Sequence, residues 1–193
     1  RLLKANSSTL GSTSAEKPNP KVVETNQMDL FGNTEETTEP EIKEKDTIKT
    51  VVHDYYLIEG KDARTELIGY LMAQEELCFD TETTDVEAVD AEIVGLSFAY
   101  RAKEAYYVPC PPRFEEAKAV LEEFRCVFEN EKIMKIAQNL KYDLTILSNY
   151  GIEIKGTLYD TMLAHYIIEP EQRHGMDYMS SNYLNYEPVS IET

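Results

Sequence analysis

The sequence predicts an α/β domain built on a mixed β-sheet flanked by helices and preceded by a polar segment. Three observations predict it. Short runs alternate apolar and polar residues with period two, and longer runs carry apolar residues at spacings of three and four. Residues 1–45 show neither pattern and are rich in Ser, Thr, Asn, Glu and Pro.

A segment of that kind buries too little apolar surface to offset its ordering entropy, so residues 1–50 are expected to be a flexible linker, with folded structure from residue 51 onward. Asp54–Glu59 (DYYLIE) reads as a strand, and Asp62–Gln74 as a helix through Leu67, Ile68, Leu71 and Met72. Leu77–Thr81 is a short apolar strand that ends in carboxylates. Ile93–Tyr100 and Ala105–Val108 form a hairpin about the polar turn at Lys103. Phe114–Phe128 is an amphipathic helix through Ala117, Val120, Leu121 and Phe124. Ile133–Ala137 is a further strand, followed by a helix over Tyr142–Tyr150 that Gly151 ends. Helices are also predicted over Thr161–Ile168, stopped by Pro170, and over Met176–Leu184. Three clustered strands, a helix, a strand and then helices point to a mixed sheet with antiparallel edge strands, the element order of a ribonuclease H-like fold.

Charge narrows the function classes. The formal net charge is −17; residues 1–45 hold 6 basic and 8 acidic residues, which leaves 13 and 28, a net of −15, for residues 46–193. A strongly acidic domain is not a general nucleic-acid binder of the basic-footprint type. If it handles nucleic acid, metal ions must offset its carboxylates or a basic neighbour must supply the affinity; in either case most of the charge also fits a solubilising surface. No apolar run approaches the roughly 20 residues of a membrane helix. The opening residues lack the apolar stretch of about 7–15 residues that defines a signal peptide. Cys78, Cys110 and Cys126 are odd in number and too widely spaced for a zinc knuckle. These features predict a reduced, cytoplasmic protein without membrane attachment, and Arg1 in first place suggests a chain that is either processed or cut from something longer.

The candidate chemistry lies in two acidic blocks. Phe79-Asp80-Thr81-Glu82-Thr83 places two acids at i and i+2, on one face of a strand. Close carboxylates raise each other's pKa, and oxygen-only ligands that need divalent cations to relieve their repulsion suit Mg²⁺ or Mn²⁺. Taken alone, the pair also fits a solvated strand end. The second block, Gln138-Asn139-Leu140-Lys141-Tyr142-Asp143, follows a short apolar strand and opens a helix. Asp143 by itself also fits a first-turn acid favoured by the helix dipole.

Together these blocks resemble the first two motifs of the 3′→5′ proofreading exonuclease domains of bacterial DNA polymerase I, within the DEDD exonuclease family. The resemblance continues through Asn149-Tyr150-Gly151-Ile152-Glu153, Tyr159-Asp160-Thr161-Met162-Leu163 and Arg173-His174-Gly175-Met176-Asp177, and spans roughly residues 54–187. It implies hydrolysis of DNA 3′ ends by two divalent ions about 3.5–4 Å apart, with release of nucleoside monophosphates. It assigns Asp80, Glu82 and Asp143 as catalytic metal ligands, and Thr83 and Asn139 as contacts of the terminal nucleotide or its phosphate. Arg173 becomes a contact of the single strand, or else a surface residue beside a helix start. Asp160 is expected to cap the Thr161 helix rather than touch metal. The partners implied are the single-stranded 3′ end of DNA and a polymerase domain in the same longer chain.

The family also uses a fourth carboxylate in a Tyr-x-x-x-Asp pattern. No Tyr here has Asp four residues on, and the nearest downstream imitation, Tyr183-x-x-x-Glu187, ends in Glu. The expectation is therefore an exonuclease domain over residues 51–193, incomplete at its C-terminus, with little or no activity alone. A non-catalytic scaffold domain and a ribonuclease D-like RNA 3′ exonuclease are the alternatives. Within the linker, Gln27-Met28-Asp29-Leu30-Phe31 is the only apolar cluster. It resembles the bacterial sliding-clamp peptide, in which Gln27, Leu30 and Phe31 would anchor an extended segment; a passive linker is the other reading.

Overall fold

The structure, a computed structural model, describes residues 44–189 and the backbone of Leu3–Lys4. The described elements are β1 (Leu3–Lys4), β2 (Asp46–Thr47), β3 (Asp54–Leu57), α1 (Lys61–Met72), β4 (Glu76–Thr83), β5 (Ile93–Arg101) and β6 (Glu104–Pro109), then α2 (Phe114–Phe128), β7 (Met134–Ala137), α3 (Leu140–Asn149), β8 (Leu158–Asp160), α4 (Thr161–Ile168), α5 (Met176–Tyr183) and β9 (Tyr186–Glu187). Seven strands form one sheet in the order β1-β3-β6-β5-β4-β7-β8, while β2 pairs with β9. The candidate clamp peptide at Gln27, Leu30 and Phe31 lies outside the described residues. The short strand β2 falls inside the stretch expected to be linker and pairs in parallel with β9.

The mixed α/β sheet is as expected, but its antiparallel strands are central rather than at the edges. Local connections join β4, β5 and β6 as antiparallel neighbours. Helical crossovers then bring β3 beside β6, β7 beside β4 and β8 beside β7, all in parallel. The physical reason is connection length: a tight turn can only reverse the chain, whereas parallel neighbours need a crossover. Among the described strands, only the two-residue β1 is an antiparallel edge.

Alternation sets which face of the sheet is dry. In β4, Leu77, Phe79 and Thr81 point inward, while Asp80 and Glu82 occupy the other face. The inward set meets the apolar stripe of α2, where Ala117, Val120, Leu121, Phe124, Val127 and Phe128 are buried at helical spacing. Phe98 of β5 stacks on Phe124 at 5.3 Å, and Phe79 meets Phe128 edge-on at 5.3 Å. Leu67 and Leu71 of α1 complete this layer, and Arg64 locks α1 to α2 through both oxygens of Glu123 at 2.8 and 2.9 Å.

The end of α3 follows its sequence signal. Gly151 has φ 79°, its amide reaches Ser148 O at 2.9 Å, and the Ile152 amide reaches Leu147 O at 3.0 Å. That is a Schellman closure, and the left-handed residue it needs is cheapest as glycine. Among the described residues no helix is long and apolar enough to cross a membrane, and all three cysteines are free.

Candidate active site

β4 and β7 run in parallel and in register only over Glu76–Cys78 against Met134–Ile136, so β4 continues past the end of β7. Beyond that point the chain leaves β4 towards β5 and leaves β7 through α3 towards β8, on opposite sides. Such a divergence at the carboxyl ends of adjacent parallel strands opens a crevice. Here it is a cleft of about 490 Å³ lined by residues 80–86 on one side and by Gln138, Asn139, Tyr142 and Asp143 on the other.

The structure therefore brings five of the six expected site residues to one cleft: Asp80, Glu82, Thr83, Asn139 and Asp143. Their environments differ. Asp143 is only 1% exposed, Asp80 is half-buried and Glu82 is exposed. Past the end of β7 the Thr81 amide has no strand partner on that side, and Asp143 takes its place. Its Oδ1 accepts from the Thr81 amide at 3.0 Å and from the Thr81 hydroxyl at 2.7 Å. Burial pushes the Asp80 carboxyl up to about 7, reinforced by the negative charges of Asp143 and Glu82. Burial likewise raises Asp143 to about 6, opposed by the two Thr81 hydrogen bonds. Two carboxyls whose ionised forms burial disfavours suit a cation with oxygen ligands. Among the described residues, no three His, Cys, Asp or Glu side chains already stand in a metal-holding arrangement. The fit thus rests on donor chemistry and on a shared cleft.

The remaining expected residues are placed less directly. The Thr83 hydroxyl is engaged in the loop after β4, donating to Asp85 O at 3.0 Å and lying 2.5 Å from the Tyr142 hydroxyl, which donates to Asp85 O. Asn139 stands exposed at the cleft rim with φ 59° and ψ 45°, a left-handed conformation that asparagine tolerates well. Arg173 does not line the cleft. It is exposed in the loop between α4 and α5, which is tied to the rim where Gln138 Nε2 donates to His174 O at 2.8 Å. Asp160 caps α4 as expected, accepting from the amides of Met162 and Leu163. Tyr183, of the Tyr183-x-x-x-Glu187 imitation, hydrogen-bonds His165 Nε2 at 3.0 Å. Reasoning from sequence missed Thr81 and Tyr142 as supports of the site. Thr81 lies between the two acids on the buried side of its strand, and nothing in the pattern marks its partner.

Residues 55–192 match the 3′-5′ exonuclease family. The chain belongs to that family. Its relatives include DNA polymerase I of Pseudomonas aeruginosa, 37% identical over 148 residues that cover 72% of this chain and 16% of the relative. DNA polymerase I of Borreliella burgdorferi is 30% identical over 170 residues, covering 86% of this chain and 18% of the relative. The chain thus spans about one-sixth of the length of the curated relatives it matches.

Solved structures agree at the level of the exonuclease fold. The catalytic core of RRP6 from Trypanosoma brucei superposes with a TM-score of 0.61 at 16% identity, over 75% of this chain and 38% of that one. The POL domain of Pol1 from M. smegmatis gives 0.56 at 20% identity, over 68% and 23%. Escherichia coli RNase D gives 0.51 at 19% identity, over 67% and 33%. These likenesses establish the ribonuclease H-like fold expected from the element order.

Proposed function

We propose that this exonuclease domain removes nucleotides from DNA 3′ ends by metal-assisted hydrolysis, as the proofreading part of a longer cytoplasmic DNA polymerase I. The observation that carries the reading is the convergence of Asp80, Glu82 and Asp143 on one cleft at the ends of two adjacent parallel strands. The family match over residues 55–192 and the polymerase relatives support it.

Asp80, Glu82 and Asp143 would hold two Mg²⁺ or Mn²⁺ ions, through the oxygens that Thr81 leaves free in the case of Asp143. Bound there, the ions would activate a water and offset charge on the attacking and leaving oxygens. The chain's own residues supply the rest. The raised proton affinity of Asp80 and Asp143 makes cation binding a displacement of protons, so binding should strengthen as pH rises through 6–7. Asn139 presents its amide to the terminal nucleotide at the rim. Arg173, on the loop attached to Gln138, meets phosphates of the incoming strand. Thr83, with its hydroxyl bound in its own loop, shapes the floor beside Asp85. The linker peptide at Gln27, Leu30 and Phe31 would tether the protein to the sliding clamp.

The test is 3′ trimming of single-stranded DNA with Mg²⁺ or Mn²⁺ by a longer form of the protein that carries the polymerase region. Nucleoside monophosphates should be released, and Asp80→Ala should slow release about a thousandfold, the scale of losing several kcal/mol of charge stabilisation. Trimming that survives Asp80→Ala, or that needs no divalent cation, would refute the assignment. A matched RNA strand trimmed faster than DNA would refute the substrate.

A further inference from the structure

The N-terminus of α3 carries Asn139 and Asp143, yet it has no side-chain cap of its own. The parallel ladder between β7 and β8 sets Ala137 opposite Asp160, so both chains leave the sheet side by side, one into α3 and the other into α4. This register puts one carboxylate between two helix starts. Asp160 Oδ1 accepts from the amides of Met162 at 2.9 Å and Leu163 at 3.2 Å, the ordinary cap of α4. The same oxygen accepts from the Asn139 amide at 3.2 Å, and Oδ2 accepts from the Leu140 amide at 3.0 Å. Four amides from two helices, each otherwise an orphan donor at the positive end of a dipole, converge on one side chain.

We infer that Asp160 is a positioning residue for the cleft: by capping α3 from the neighbouring strand, it sets where Asn139 and Asp143 stand relative to β4. Asp143 lies one turn beyond Leu140 and reaches β4 through Thr81. The start of α3 is therefore held at two points, by Asp160 on the β8 side and by Thr81 on the β4 side. A cap serving α4 alone would use two of these amides and leave α3 free to shift. Only the activity arm of the test below rests on the exonuclease reading.

Amide hydrogen exchange followed by NMR on the 193-residue chain separates the two roles. Asp160→Asn keeps an oxygen for α4 but places an NH₂ group against one of the α3 amides. Asp160→Ser keeps a short cap for α4 and cannot span to α3. In both variants exchange at Leu140 should accelerate about tenfold or more, and Thr81, which touches Asp143 and not Asp160, should accelerate with it. Met162 and Leu163 should stay within about threefold, as should Phe98 in the central strand, which reports global opening.

Unchanged protection at Thr81 beside a deprotected Leu140 would overturn the inference, as would equal acceleration of every amide. If Asp160→Asn fails to fold, Asp160→Ser gives the same readout; if neither folds, Asp160 is a general stability residue and the positioning role fails. In the longer polymerase-bearing protein, Asp160→Asn should lower kcat for 3′ trimming about tenfold with KM within about threefold. A wild-type protein that trims nothing counts against the proposed function, and leaves the exchange result to stand or fall alone.

Discussion

Asp143 Oδ1 takes both hydrogen bonds that Thr81 can offer, the amide at 3.0 Å and the hydroxyl at 2.7 Å, across 62 residues of sequence. A carboxylate on a helix thereby replaces the strand partner that β4 lacks beyond the end of β7. Because the pair is buried, each bond is shielded from water, and losing one leaves a polar group unpaired.

Thr81→Val removes the hydroxyl and keeps the amide. Urea unfolding should show a loss of about 1.5–3 kcal/mol, the usual scale for a hydrogen bond to a charged group. The Thr81 bonds favour ionised Asp143, so the variant should also raise its carboxyl above about 6. The ¹³C titration of the Asp143 carboxyl checks this, and an unchanged midpoint would mean the hydroxyl contributes nothing.

Stability without metal should depend on pH in a direction set by Asp80 and Asp143. Both are raised in the folded state, to about 7 and about 6, from an ordinary value of 3.8. Between pH 4 and 7 the folded chain thus holds protons that the unfolded chain has released. Stability is therefore greatest at the acidic end, falls as pH rises and levels off above about pH 7. Thermal unfolding from pH 5.5 to 8.5 should show this decline, and Asp80→Asn should flatten it and raise Tm at pH 8. A variant as pH-dependent as the parent would refute the role of Asp80.

Gly95 pairs with Glu82 across the ladder, and a Cβ there would run into the hydroxyl and ring of Tyr107. Gly95→Ala should therefore push the ring off the sheet and destabilise by about 1–2 kcal/mol, a modest overpacking effect because the clashing atoms end a side chain. A Tyr107→Ala background should abolish most of that penalty. Additive losses in the double variant would show that the ring is not the obstacle.

Arg173 stands in solvent on the α4–α5 loop. Arg173→Ala should leave Tm within about 1 °C of the parent while raising KM for single-stranded DNA several-fold, more so at low salt, with kcat little altered. Fluorescence binding of an oligonucleotide in the longer protein, with Ca²⁺ in place of Mg²⁺, would measure this. Equal affinity in both proteins would place the strand elsewhere.

What sequence alone could specify was whatever local periodicity encodes. The apolar stripe of α2 marks Phe114–Phe128 at both ends, and Gly151 marks the close of α3, because these signals lie within a few residues of what they control. The pair Asp80 and Glu82 was legible in the same way, since strand alternation assigns i and i+2 to one face. The strand β8 was not legible: three residues are too few to show a period, and two of them are exposed. The start of α3 was placed two residues late for a related reason, as the carboxylate that holds it belongs to Asp160, 20 residues further on. Tertiary structure alone decided that Asp143 serves Thr81, that Arg173 stands outside the cleft, and that the antiparallel strands fill the middle of the sheet. These outcomes depend on which strand ends beside which, and register between distant segments is set by packing over the whole sheet rather than by any short run of residues.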